Sequence, residues 1–287
     1  MLDLALSVCC SSLIFVIFKL FDVYKIETFY AIISNYVVAC IVGLFFYSGE
    51  INPIEISSKP WFLGTLLLGF LFIIVFNLMA RTSQTVGVSV ASVATKMSLV
   101  IPVIFGVLVY KEELGLIKII GILLALAAVY FASIKESKIS IRKSALLLPI
   151  LVFLGSGIID TSIKYVQESH ISENEFPLFS ATVFGAAAFV GICFILVKSF
   201  KTSLKINLKN VLGGIALGVP NYFSVYYLLR ALQNPSLTSS SIFTINNVAV
   251  VMLSTLLGIL LFKEQISLKN WGGIVLAVIS IILVAIF

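Results

Sequence analysis

One lysine and one aspartate stand where ionised side chains are costly. Lys96 falls in Thr95-Lys96-Met97-Ser98, inside an apolar stretch running from about 85 to 110, and Asp160 falls in another running from about 144 to 166. At a helical rise of 1.5 Å per residue, Lys96 lies roughly 16 Å into its stretch, near the middle of a bilayer. Insertion scales charge about 2.5–3.5 kcal/mol for a lysine at that depth, so intramembrane charge points to function by default. Its chemistry is anion binding, because an ammonium presents three donors and no acceptor to a carboxylate or phosphate. The competing readings are a snorkelling side chain and a structural ion pair. Asp160 sits one turn before Lys164 on the same helix face. Three roles stay open for it: carrying a proton, neutralising a bound cation, or balancing Lys164 or Lys96. Lys19 aligns with Lys164 and joins this set.

Neutral polar groups gather at a matching depth elsewhere. Thr244-Ile245-Asn246-Asn247 aligns with Thr95 through Ser98, and Asn77 aligns with Tyr226. Asn221, Tyr222 and Tyr226 share roughly one helix face below Gly218 and Pro220. Amides and phenols in such a cluster could hydrogen-bond a polar substrate, and the rings suit an apolar or aromatic one. For each residue singly, a hydrogen bond between helices is the competing explanation. Pro102 cannot donate to the Ser98 carbonyl, which predicts a free acceptor and a bend beside Lys96.

Catalytic chemistry finds little here. His170 is the single histidine and is expected in a loop from Gln167 to Glu175. Gly155-Ser156-Gly157 mimics part of a nucleophile elbow, but its glycines adjoin Ser156 directly, where Gly-x-Ser-x-Gly needs them two positions away. No phosphate-binding loop of the Walker type is present. Cys9, Cys10, Cys40 and Cys193 all lie in apolar runs, where they are expected to pack as small hydrophobes. The sequence implies no metal and no cofactor.

The elements that must position these residues follow from composition. Hydrophobic residues make up 60% of the chain, charged residues 11%, and the mean hydropathy is +1.16. A soluble domain carries roughly a quarter charged residues, so the solvent for this fold is lipid. Backbone groups in lipid must be satisfied internally, and the period-two pattern of a barrel is absent, so the spans are helices. Ten are predicted, near 2–21, 28–48, 60–80, 85–110, 115–134, 144–166, 176–198, 208–231, 236–262 and 267–287. The first lacks the flanks of a cleaved signal and is expected to be retained.

The second five spans repeat the first five. Arg81 recurs as Arg230, Tyr110-Lys111-Glu112-Glu113 as Phe262-Lys263-Glu264-Gln265, and Gly121 as Gly273. The predicted organisation is a first repeat over 1–134, a basic connection over 135–143 and a second repeat over 144–287. A unit with an odd number of crossings inserts its two copies upside down relative to each other, as in many secondary transporters. Gly121 with Ala125, Gly273 with Ala277, and Gly214 with Gly218 supply the small-residue spacing by which helices approach closely in lipid. Basic residues concentrate in the odd-numbered loops, Lys135 to Lys143 and Lys198 to Lys209 above all. The positive-inside rule then puts those loops in the cytoplasm and both termini outside.

With Thr95-Lys96-Met97-Ser98-Leu99-Val100-Ile101-Pro102 leading to Tyr110-Lys111-Glu112, the chain resembles the drug/metabolite transporter superfamily, specifically its EamA-type members. Phe243 through Asn247 leading to Phe262-Lys263-Glu264 is similar to the second-repeat pattern of these proteins. The resemblance implies a ten-helix basket whose first four helices in each half line a central cavity. It also implies cytosolic termini, against the charge count. Single-repeat relatives couple to protons through a first-helix glutamate. Here Phe15 takes that place in the first repeat, and Asp160 in the second is its nearest analogue.

The expectation is a secondary transporter moving a small metabolite, amino acid-like or an organic anion, by alternating access as an exporter or exchanger. It would sit in the plasma membrane, a bacterial inner membrane, as a multi-pass protein. Expected partners are a small-molecule substrate, surrounding lipids and a coupling proton or counter-substrate. A homodimer is one assembly open to it, and nucleic acid is not a partner. The alternatives are a non-transporting scaffold and a membrane-embedded enzyme acting on a lipid carrier. The enzyme would need clustered acids or histidines that the chain lacks.

Overall fold

The computed structural model describes residues 2–47, 49, 52–110, 115–133, 143–170, 175–200, 207–232 and 239–286. Every regular element among them is a helix: α1 (Leu2–Val23), α2 (Thr28–Phe45), α3 (Pro53–Ser58), α4 (Phe62–Thr85), α5 (Val88–Met97), α6 (Val100–Tyr110), α7 (Leu116–Ser133), α8 (Lys143–His170), α9 (Phe176–Ser199), α10 (Leu208–Leu232), α11 (Ser239–Phe262) and α12 (Leu268–Ile286). Eight segments are long and apolar enough to cross a membrane, and Ile119–Ala132 and Leu268–Leu283 are shorter apolar helices. Together they occupy the ten predicted stretches.

Four local expectations are corrected. The stretch 85–110 is two helices, because the chain turns at Ser98 and Leu99. The Ser98 carbonyl, expected to be left free by Pro102, accepts from Ile101 N at 2.9 Å. The residues around Asn52-Pro53 form α3, with Asn52 Oδ1 accepting from Ile54 N at 3.1 Å and Pro53 in the first turn. An asparagine cap followed by proline is a sound helix start, so the signal was present. His170 ends α8 where a loop was expected. The basic connection over 135–142 lies outside the described residues.

Polar contacts sort the helix ends onto two faces. On one, Lys59 Nζ lies 2.8 Å from Glu175 and 3.1 Å from Glu55, and Trp61 packs edge-on against Phe179. Hydrogen bonds donated to Glu175 and then to Glu55 hold the Lys59 ammonium above the usual lysine range. Asp3 meets Arg230 at 3.6 Å at this Lys59 face. On the other, Gln84 Nε2 donates to Phe18 O and Thr28 Oγ1, and Glu27 N donates to Asn210 Oδ1. Asn270 Nδ2 donates to Phe131 O and Ala132 O at this Asn270 face.

Glycines set the closest helix contacts. A Cβ on Gly273 of α12 would fall 2.4 Å from Ala132 N of α7, and Ser280 Oγ of α12 donates to Gly121 O of α7 at 2.7 Å. Position 273 thus meets 132 while 280 meets 121, so α7 and α12 run antiparallel. The same ordering holds for α2 and α9, where Gly43 meets Ala181, Cys40 meets Gly185 and Ile33 meets Gly191. Gly214 and Gly218 of α10 press on Ser34, Asn35 and Val38 of α2. Gly155 and Gly157 make room on α8 for Val75 and Ile101, which is the packing role of the apparent elbow.

Candidate functional site

The break in the fourth predicted span is where the charged residues meet. α5 ends at Met97 with Lys96 in its last turn, and α6 begins at Val100. Hydroxyls compete for the backbone here. Thr95 Oγ1 donates to Ala91 O at 2.9 Å, and Ser98 Oγ lies 2.5 Å from Thr95 O. Such back-bonding, together with the N–H missing at Pro102, interrupts the helix. Two half-helix ends are left facing each other at membrane depth, as in the discontinuous helices that build transporter sites.

Each end carries the charge that suits it. The C-terminal end of a helix is partially negative and stabilises Lys96, while the N-terminal end is partially positive and suits a carboxylate. Asp160 of α8 supplies one, accepting at Oδ2 from Ser98 Oγ at 2.9 Å. Its side chain is exposed, while the neighbouring Ile159 is buried. Lys96 is half-buried and within electrostatic reach of Asp160. Among the described residues its ammonium has no hydrogen-bond or ion-pair partner. Ser98 has a single proton for two acceptors, Asp160 and Thr95 O. A protonated Asp160 could reverse the first bond and leave the second intact, so the geometry accepts either state of the carboxyl.

The remaining candidates divide. Asn77 on α4 donates to Ile73 O at 2.8 Å, leaving its carbonyl oxygen available. Asn247 is 8% exposed and makes no hydrogen bond among the described residues. Tyr222 stacks between Phe46 and Tyr226, and Arg230 lies 5.8 Å from the Tyr226 ring centre. This aromatic group faces the end of α2 at the Lys59 face.

Three expected site residues are engaged elsewhere. Asn221 Nδ2 donates to Asn35 Oδ1 at 3.1 Å, in a buried bond between α10 and α2. Asn246 Oδ1 accepts from Ser7 Oγ at 3.2 Å, tying α11 to α1. Lys19, a coupling or ion-pair candidate through its alignment with Lys164, donates to Gln84 O at 2.7 Å, where a cation stabilises the C-terminal end of α4. The side chains of Lys164 and Thr244 lie outside what the structure describes.

Sequence reasoning missed Glu264 as a bonded group. It crosses from the end of α11 to the start of α5, where Oε1 accepts from Val88 N at 2.7 Å and Oε2 from Ser89 Oγ at 3.1 Å. The available signal was the acid's place just past the helix. A separate apolar groove of about 470 Å³ runs between α2, α4 and α9, lined by Cys40, Leu66, Ala181 and Phe189 among others. It does not include the charged pair.

Comparison with known proteins agrees with this architecture. The chain is 29% identical to an uncharacterized protein of Haemophilus influenzae over 288 residues, covering 97% of this chain and 96% of that one. A protein of known crystal structure superposes with a TM-score of 0.60 at 16% identity, covering 98% of this chain and 94% of its own, a likeness of fold alone. The EamA-like transporter family matches twice, over residues 1–134 and again over 143–286. A multi-pass, all-helical membrane protein whose two halves each match that family belongs to it: the chain is a member of the EamA-like transporter family, within the drug/metabolite transporter superfamily.

Proposed function

We propose that the chain is a secondary transporter of a small metabolite bearing a carboxylate or phosphate, and that Lys96 holds that anion. One observation carries the reading: a half-buried ammonium near mid-membrane that faces Asp160 electrostatically yet has no hydrogen-bond or ion-pair partner among the described residues. A lysine there is costly, and Asp160 gives it a counter-charge without a hydrogen bond. An anionic substrate would complete it. Asp160 and Ser98 would take a cationic group of the substrate or a coupling proton. Asn77, through its carbonyl oxygen, and Asn247 would orient the rest.

The two repeats, 1–134 and 144–287, would form an inverted pair rocking around this site in the plasma membrane. The antiparallel run of α2 against α9 and of α7 against α12 supports inversion, since each pair joins matching members of the two repeats. The break at Ser98-Leu99 supports a central site, because irregular backbone at membrane depth is tolerated where it lines a cavity.

Counterflow in proteoliposomes against amino acids, nucleosides and organic anions, with and without a pH gradient, tests the proposal. Lys96→Ala should fold and insert but lose flux, since removing one partner of a buried charge contact costs about 2–5 kcal/mol, roughly 30-fold or more in binding. Asp160→Asn should keep exchange of an anion while losing accumulation driven by the pH gradient. Wild-type flux from Lys96→Ala vesicles would overturn the assignment.

A further inference from the structure

Glu264 is placed by a cluster of features that a simple helix end does not need. Lys263 has a φ of 52°, a left-handed conformation uncommon for any residue but glycine. That turn sends the chain back so that Glu264 N donates to Gly258 O at 3.2 Å. Its carboxylate then reaches across to another helix and takes Val88 N and Ser89 Oγ. Both glycines that flank it leave room for its carboxylate. A Cβ on Gly258 would stand 2.7 Å from Glu264 Oε2, and one on Gly87, whose φ is +145°, would stand 3.1 Å from the same atom. A charge-assisted bond to a helix N-terminus is among the stronger polar contacts available.

What the carboxylate holds is the helix that carries Lys96. α5 is ten residues long, roughly 15 Å at 1.5 Å per residue, with Glu264 at one end and Lys96 at the other. The turn at Ser98-Leu99 divides it from α6, and that point is where α5 would pivot as a short lever. Glu264 comes from the second repeat and α5 from the first, so the contact bridges the halves at the Asn270 face.

Resting on the transporter reading above, we propose that Glu264 is the latch that closes the substrate pathway at the Asn270 face, holding the α5 lever until the halves separate there. It acts on the pathway through α5 and touches no substrate, so it is a positioning residue. A carboxylate that merely capped α5 would affect stability without selecting a face.

The test needs no substrate. In a protein with Cys9, Cys10, Cys40 and Cys193 replaced, Thr95→Cys reports cavity access by its labelling rate with a membrane-impermeant thiol reagent added to one face at a time. Glu264→Gln should raise labelling from the Asn270 face about tenfold and leave or lower labelling from the Lys59 face. Gly258→Ala, which displaces the carboxylate, should do the same, and the double variant should exceed neither single one. Glu112→Gln, altering the sequence counterpart in the first repeat, should not raise labelling from the Asn270 face. Unchanged labelling in a Glu264→Gln protein that melts near the parent temperature overturns the latch, and so does an equal rise from both faces. If the latch outcome appears while Lys96→Ala transports normally, the latch stands and the substrate assignment falls.

Discussion

An amide and an ammonium in the same protein illustrate how differently two intramembrane polar groups are used. Asn221 spends its amide on Asn35, so its removal should act on stability and not on substrate choice. Interhelical bonds of this type contribute about 0.6 kcal/mol on average and up to about 1.7. Asn221→Ala should therefore melt earlier in detergent, with the relative affinities for competing substrates unchanged in the folded fraction. Altered selectivity at unchanged stability would return Asn221 to the binding site. Lys96 should behave in the opposite way, because no described hydrogen bond is broken by its loss.

Helix pairs are held here by backbone proximity, and neighbouring glycines on α12 separate that effect from helix propensity. Gly273 abuts Ala132 N at 2.4 Å from an added Cβ, while nothing lies within 4 Å of one on Gly272. Gly273→Ala must push α7 and α12 apart, with overpacking costs of about 1–3 kcal/mol. Gly272→Ala keeps the contact and gains about 0.5–1 kcal/mol from helix propensity. Thermal unfolding of the two variants should move in opposite directions. A shared direction would show that the α7–α12 seam is not set by Gly273.

The whole molecule has two polar faces separated by apolar helices, and that arrangement is open to a direct check. Ser57 lies in the exposed last turn of α3 at the Lys59 face, and Asn270 lies in the first turn of α12 at the other. Single cysteines at these positions should label from opposite sides of sealed vesicles. Labelling of both from one side would refute the alternation of crossings. The side that labels Ser57→Cys also decides between the charge count, which puts the termini outside, and the family resemblance, which puts them in the cytosol.

Membrane class, the ten apolar stretches, the family and the two outlying charges were all legible in the amino-acid order, because run length and the cost of intramembrane charge are properties of short segments. Pro102 marked a bend, but a full break also needed the Thr95 and Ser98 hydroxyls to turn onto nearby carbonyls. Only the tertiary structure decided which polar groups meet. It joined Ser98 to Asp160 across 62 positions and Glu264 to Val88 across 176, and it sent Lys19 to the end of α4. Those partnerships depend on the rotation and tilt of whole helices. Distant small residues such as Gly214 and Gly273 set both, and no local pattern encodes the outcome.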